Sequence, residues 1–147
     1  GKGAGDEYVD FLVNNLKPYI DKYYRTLSNK KNTYIAGSSM GGLISLYAVL
    51  KYPEVFGGAG IFSTAFWTAP GIDSAVIARS KKMNSRLFFY AGGREGDAMV
   101  PDMIRIEKEI KKNSVSPTKE IIDLEAQHNE AAWRKWFPSF YDWTIIK

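Results

Sequence analysis

Apolar and polar positions follow two rhythms along this chain. Over residues 6–26, Tyr8, Phe11, Leu12, Tyr19, Ile20 and Tyr23 recur at helical spacing, which predicts an amphipathic helix that Pro18 kinks or splits. Residues 33–37 (TYIAG) form a short apolar run of strand formers and predict a strand. Residues 40–52 predict a helix closed by Tyr52-Pro53, and residues 55–62 (VFGGAGIF) a buried, glycine-containing strand. The loop STAFWTAPG and a short helix near 71–80 follow. Residues 86–91 (RLFFYA) are the clearest strand, and residues 98–112 set Met99, Met103, Ile106 and Ile110 on one helical face. Residues 118–124 (TKEIIDL) predict the last strand, and a tryptophan-rich helix near 129–146 closes the chain.

The predicted order is one helix, then strand and helix four times. That alternation implies an α/β fold of about four parallel strands joined by right-handed crossovers, with helices on both faces. In such sheets reactive groups gather at the carboxyl ends of the strands. The loops to read for chemistry therefore begin near residues 38, 63, 92 and 125.

The first of them holds Gly37-Ser38-Ser39-Met40-Gly41-Gly42, a match to G-x-S-x-G centred on Ser39. A sharp strand-to-helix turn forces the central residue into strained backbone angles and pushes its hydroxyl outward. Small residues two before and two after are expected because strand and helix approach closely there. The helix N-terminus offers free N–H groups to a developing oxyanion. Ser39, with glycine at both two-residue offsets, is the expected nucleophile, and Ser38 is not.

A serine hydroxyl needs a base to take its proton. The chain has one histidine, His128, just past the last predicted strand in EAQHNEAAW, where a base can reach Ser39. The base needs an acid to orient it, and the loop after RLFFYA reads Gly92-Gly93-Arg94-Glu95-Gly96-Asp97. The order serine, acid, histidine is that of the α/β-hydrolases. Two carboxylates compete. Glu95 is nearer the strand end and reaches further; Asp97 is the commoner residue type for the role but can instead cap the next helix. Arg94 is expected to face solvent. Phe66 and Trp67 in the second loop, and Trp133 after His128, are candidate walls of a substrate pocket.

Composition narrows the chemistry. With no cysteine there is no disulfide, thiolate metal site or cysteine nucleophile, and a single histidine offers no partner for a metal site. No metal and no cofactor are expected. The net charge of +4 comes from basic pairs dispersed along the chain (Lys30-Lys31, Lys81-Lys82, Lys111-Lys112), which suits a solvated surface and not a nucleic-acid partner. No apolar run is long enough to span a membrane, and the opening GKGAGDEY shows no signal-peptide pattern. Localisation stays open, with the cytoplasm favoured.

The run YIAGSSMGGLISLYAVLKYPEVFGGAGIFSTAFW resembles the nucleophile-elbow region of the putative-esterase α/β-hydrolases, a family that includes enterochelin-esterase-like, feruloyl-esterase-like and S-formylglutathione-hydrolase-like enzymes. FFYAGGREGD and HNEAAW resemble its acid and histidine loops, and the likeness extends from about residue 7 to the C-terminus. The resemblance implies Ser39 as nucleophile, Glu95 as acid and His128 as base. It also implies that residues 1–147 form a single catalytic domain lacking the strands that usually precede its first helix, among them the loop that completes the oxyanion hole. The Met40 backbone N–H is then the one donor the elbow supplies. The strand TYIAG, internal in a full family sheet, becomes an exposed edge, and a homo-oligomer, most simply a dimer, is expected to cover it. The leading expectation is a serine esterase that cleaves a small-molecule ester through an acyl-enzyme. The alternatives are a weakly active or non-catalytic half-domain that binds a partner, and an acyltransferase using the same triad.

Overall fold

In the computed structural model, which describes residues 3–146, β1 (Tyr34–Ser38), β2 (Gly58–Phe62), β3 (Arg86–Gly92) and β4 (Thr118–Asp123) form one parallel sheet in the spatial order β1-β2-β3-β4. Spatial order equals chain order, so every crossover steps the same way. Right-handed crossovers that always step the same way place their helices on a single face. Accordingly α3 (Met40–Lys51), α4 (Ile72–Arg79) and α5 (Met99–Asn113) share one face, where Leu46, Val49, Leu50, Val76, Met103 and Ile106 pack on Ala59, Ile61, Leu87 and Phe89. Only α6 (Glu130–Thr144) covers the other face, seating Phe140 on Phe62, Phe88 and Tyr90. The rings of Phe62 and Phe88 meet Phe140 edge-on at centroid separations of 6.0 and 5.9 Å, a favoured aromatic geometry. Helices on both faces, as the alternation predicts, thus means three on one face and one on the other.

The predicted elements all form, with shifted ends. The second strand begins at Gly58 and not at 55, because Val55 and Phe56 belong to the turn that carries the chain out of α3; Phe56 still lies in the core. The opening helix is split as Pro18 predicts. It runs as α1 (Gly5–Phe11), a single π turn (Leu12–Leu16) and α2 (Lys17–Tyr23). Proline has no N–H to give the preceding turn and its ring crowds that turn's carbonyls, and the wider π turn just before it accommodates both.

A polar clamp docks α1 on α3. Lys51 Nζ lies 2.7 Å from Asp6 and 2.5 Å from Asp10, while Tyr47 and Tyr52 donate their hydroxyls to the same two carboxylates at 2.5 and 2.7 Å. Only Val9 of α1 is fully buried; Tyr8, Phe11, Leu16, Tyr19 and Tyr23 remain exposed along this segment. Strand β1 pairs with β2 alone among the described residues, and its residue Ala36 is exposed where every residue of β2 is buried. A groove of about 630 Å³ runs between α2 and β1, lined by Leu16, Ile20, Leu27, Tyr34 and Ile145.

Candidate active site

The four strand ends converge. Strand β1 hands over to α3 through a single residue, Ser39, held at φ 55, ψ −119. A non-glycine residue there stores about 1–3 kcal/mol of strain and persists only where its surroundings hold it. Its N–H donates to the Phe62 carbonyl at 2.8 Å, and its own carbonyl accepts from Gly42 and Leu43 at 3.1 and 3.2 Å, starting the helix. Ser38, in contrast, ends β1 in extended pairing with Phe62. The N–H groups of Met40 and Gly41, at the first positions of α3, find no acceptor among the described residues and are free for a ligand.

The steric logic of the turn differs from the motif as spelled. A Cβ on Gly37 would fall 2.6 Å from the Gly41 carbonyl carbon, so that position admits only glycine. A Cβ on Gly41 would meet nothing within 4 Å. The second obligatory glycine is Gly42, whose Cβ would collide with Thr64 Oγ1 and reach the Phe62 carbonyl at 3.0 Å. Strand β1 touches α3 at the Gly41 backbone, but the Cβ position of Gly41 points away from that contact, whereas that of Gly42 points at the end of β2 and the loop after it.

Only one of the two competing carboxylates meets the histidine. The Glu95 side chain is wholly buried, and its Oε2 lies 2.7 Å from His128 Nδ1. Its Oε1 accepts from the Gly92 N–H at 2.6 Å and from the Ser63 hydroxyl at 2.7 Å. Asp97 is exposed and bonds to no described side chain; nor does it cap the following helix, whose N-cap is Ala98. An ionised Glu95 can only accept, so His128 Nδ1 is the donor of this bond, and in a neutral ring Nε2 is then the nitrogen with the lone pair. Among the described residues His128 Nε2 and Ser39 Oγ share no hydrogen bond; the bond that His128 makes is the one from Nδ1. Arg94 faces solvent, as expected, and pairs with Glu125.

Ser63 carries no sequence motif, yet it sits at the centre of this network. It follows β2 directly, is fully buried, and is the second non-glycine residue of the described chain with positive φ, at 47. Its hydroxyl bonds Glu95 and accepts from Trp133 Nε1 at 2.8 Å. The signal that could have found it was its place: it opens one of the four loops at the carboxyl end of the sheet. Nearby, the Tyr90 hydroxyl is buried without a partner; burial pushes its pKa up to about 12, with the charges of Asp123 and Glu95 acting in the same direction, so it stays neutral.

The expected aromatic walls separate into three cases. Phe66 is buried at 1% exposure among core residues and meets no solvent, so it supports its loop from within and does not wall a pocket. Trp67 is 51% exposed and borders neither cavity beside the elbow. Trp133 does line one, a cavity of about 490 Å³ bounded by Ala36, Ser38, Phe62, Arg134 and Phe137. Its indole ring also meets the His128 ring edge-on, 5.1 Å between centroids and 89° between planes. A second cavity, of about 480 Å³, opens beyond Met40 between α3 and the loop after β2, lined by Leu43, Ile44, Tyr47, Thr68 and Pro70. Among the described residues no cluster of three or more His, Cys, Asp or Glu is placed to hold a metal ion, and no helix is long and apolar enough to cross a membrane.

This arrangement can be compared with known proteins. Residues 1–143 match the family model described as "Putative esterase". The uncharacterized protein YbbA of Bacillus subtilis is 29% identical over 119 residues, covering 81% of this chain and 44% of that protein. An endo-1,4-beta-xylanase/feruloyl esterase of Xylanibacter ruminicola is 27% identical over 135 residues, covering 92% of this chain and 17% of that protein. A solved CE1 ferulic acid esterase from Anaeromyces mucronatus, in complex with ferulic acid, superposes with a TM-score of 0.73 at 22% identity, over 96% of this chain and 55% of its own, a likeness of fold. The chain thus spans less than half the length of both sequence relatives.

Proposed function

Because the chain belongs to the putative esterase family, we propose that it hydrolyses carboxylic esters through a Ser39–His128–Glu95 triad and an acyl-enzyme. The observation that supports this most directly is the buried Glu95 carboxylate bonded to Nδ1 of the one histidine, at the same sheet end as a serine held at φ 55. Ser39 Oγ attacks the ester carbonyl carbon while His128 Nε2 takes its proton. The Met40 N–H receives the oxyanion, and Glu95 stabilises the imidazolium. Collapse of the intermediate expels the alkoxide, which takes the proton from Nε2, and leaves the acyl group on Ser39. A water, deprotonated by His128, attacks that acyl carbon and releases the acid.

The cavity beside Ser38 suits a flat acyl group. Phe62, Trp133 and Phe137 give it aromatic walls, and Arg134 sets one cation at its rim. Two of the relatives bear feruloyl or ferulic acid esterase in their names, so aromatic acyl esters are the substrate class to test first. Hydrolysis of feruloyl and short acyl chromogenic esters, with Ser39→Ala as the control, tests the proposal. Turnover that survives in Ser39→Ala removes it.

A second reading is favoured by the open side of the sheet. The elbow offers its donors from one helix end alone, and one missing oxyanion donor lowers rate by about 100- to 1000-fold. On this reading the chain binds an ester or a partner without turning it over. Slow release of alcohol that Ser39→Ala abolishes would mark a weak enzyme; ester binding with no Ser39-dependent release would mark a binding module. The free edge of β1 and the apolar groove beside it further support pairing with a second copy of the chain about a two-fold axis, which closes both at once.

A further inference from the structure

We propose that Ser63 and Trp133 form a positioning pair that holds the acid and the base of the triad in one closed ring of contacts. The inference rests on the triad reading and adds to it two residues that need not touch substrate to act.

The direction of the chain of hydrogen bonds follows from donor chemistry. An indole N–H only donates and an ionised carboxylate only accepts, while a hydroxyl has one proton to give. Trp133 Nε1 lies 2.8 Å from Ser63 Oγ, so the Ser63 proton is left for Glu95 Oε1, 2.7 Å away. The order is therefore Trp133 to Ser63 to Glu95, and each donor polarises the next. With the Gly92 N–H at 2.6 Å, Oε1 is held by two donors, which leaves Oε2 to His128 alone at 2.7 Å. The ring closes where it began, because the Trp133 indole meets the His128 imidazole edge-on at 5.1 Å. Trp133 itself is fixed by the capped start of α6, where Asn129 Oδ1 accepts from the Ala132 N–H at 3.0 Å.

The backbone at Ser63 indicates that its side chain is what the position requires. At φ 47 glycine would sit with less strain. A serine held there, fully buried, with both hydrogen-bonding capacities of its hydroxyl used, supplies something glycine cannot.

Ser63→Gly is the test, since it suits the positive φ of the backbone and removes the hydroxyl together with its methylene. Ser63→Ala and Trp133→Phe, which keeps a ring against His128, are its companions. Removing such a supporting contact commonly costs about 10- to 100-fold in activity. The expected result is a fall of that size in kcat for both Ser63 variants and a smaller fall for Trp133→Phe, with KM within about twofold for the Ser63 variants and Ser63→Gly still unfolding cooperatively. The second readout does not depend on turnover. The one histidine gives a single ring Nδ1–H proton resonance, shifted far downfield by its short bond to Glu95, which should move upfield or exchange away in the Ser63 variants. An unchanged resonance in folded Ser63→Gly overturns the proposal, whatever kcat does. If Ser39→Ala shows that the chain has no serine-dependent turnover, the esterase reading falls and the resonance still decides this one. Should both Ser63 variants fail to fold, an unchanged resonance in Trp133→Phe overturns it and a displaced one supports it.

Discussion

The two sides of the candidate site are built to different degrees. Glu95 is wholly buried and held by three donors, its strand β3 is paired on both sides, and its partner histidine stands at the capped start of a helix. Ser39 stands at the end of an edge strand. Its N–H reaches back to β2, but no strand among the described residues pairs with the outer side of β1, and α1 and α2 beside it leave a row of large apolar side chains exposed. An acid–base pair can be assembled by short-range contacts within two crossovers. A nucleophile with a complete oxyanion hole needs donors from outside the elbow.

The largest effect should come from the elbow. Ser39→Ala and His128→Ala should each take ester turnover to background, a loss of up to about a million-fold in complete triads, while Ser38→Ala keeps most of it. Equal loss in both serine variants would dissolve the distinction between strand end and apex. Next, Glu95→Gln should cost up to about ten-thousand-fold, since the amide favours the wrong tautomer, and Asp97→Asn should stay within about twofold. The reverse ranking would mean that the well-built side is structural and the loop carboxylate works.

The comparison itself is put at risk by dilution. If a second copy covers β1 and completes the oxyanion hole, specific activity should fall by about 100-fold or more as the dimer dissociates, with light scattering following mass over the same range. A monomer of constant specific activity would show that the Ser39 side is self-sufficient. On stability, Gly37→Ala should lower it by about 1–3 kcal/mol through overpacking, and Gly41→Ala should leave it unchanged or raise it slightly, as alanine does in a helix. Denaturant midpoints decide this, and equal damage at both would restore the motif as spelled.

The smallest effect concerns the clamp on α1. Hydrogen bonds from Lys51 first, and from Tyr47 and Tyr52 next, hold Asp6 and Asp10 below the ordinary Asp value of 3.8. A carboxylate lowered on folding contributes stability that is complete above its unfolded value and is lost as pH falls through its folded one. Amide exchange in α1 should therefore quicken below about pH 4 before it does in α5 or β3. Simultaneous loosening of all three would make the clamp irrelevant to how this side is held.

Much of this was legible in residue order. The alternation of runs implied a parallel sheet, the sheet implied which loops to read, and Ser39, Glu95 and His128 lay in three of them. Periodicity and loop position report what repeats locally, and these features repeat or are rare. Ser63 was not legible, because its partners lie 32 and 70 residues away and no spacing relates them. Phe66 and Trp67 are adjacent in sequence, but only packing sends one ring into the core and leaves the other half exposed. That Gly42 and not Gly41 has no room for a side chain is likewise a fact of which side of α3 faces Phe62 and Thr64.

By itself, then, the chain's order of residues determined the elements, their parallel arrangement and which loops hold Ser39, Glu95 and His128. Local hydrogen bonding and hydrophobic period decide those, and both are written in neighbouring residues. The contact of Glu95 with His128, the place of Ser63 and Trp133 behind it, and the unequal completion of the two sides belonged to the tertiary structure alone. They depend on which atoms come within about 3 Å of each other across separate crossovers, and that distance is set by packing.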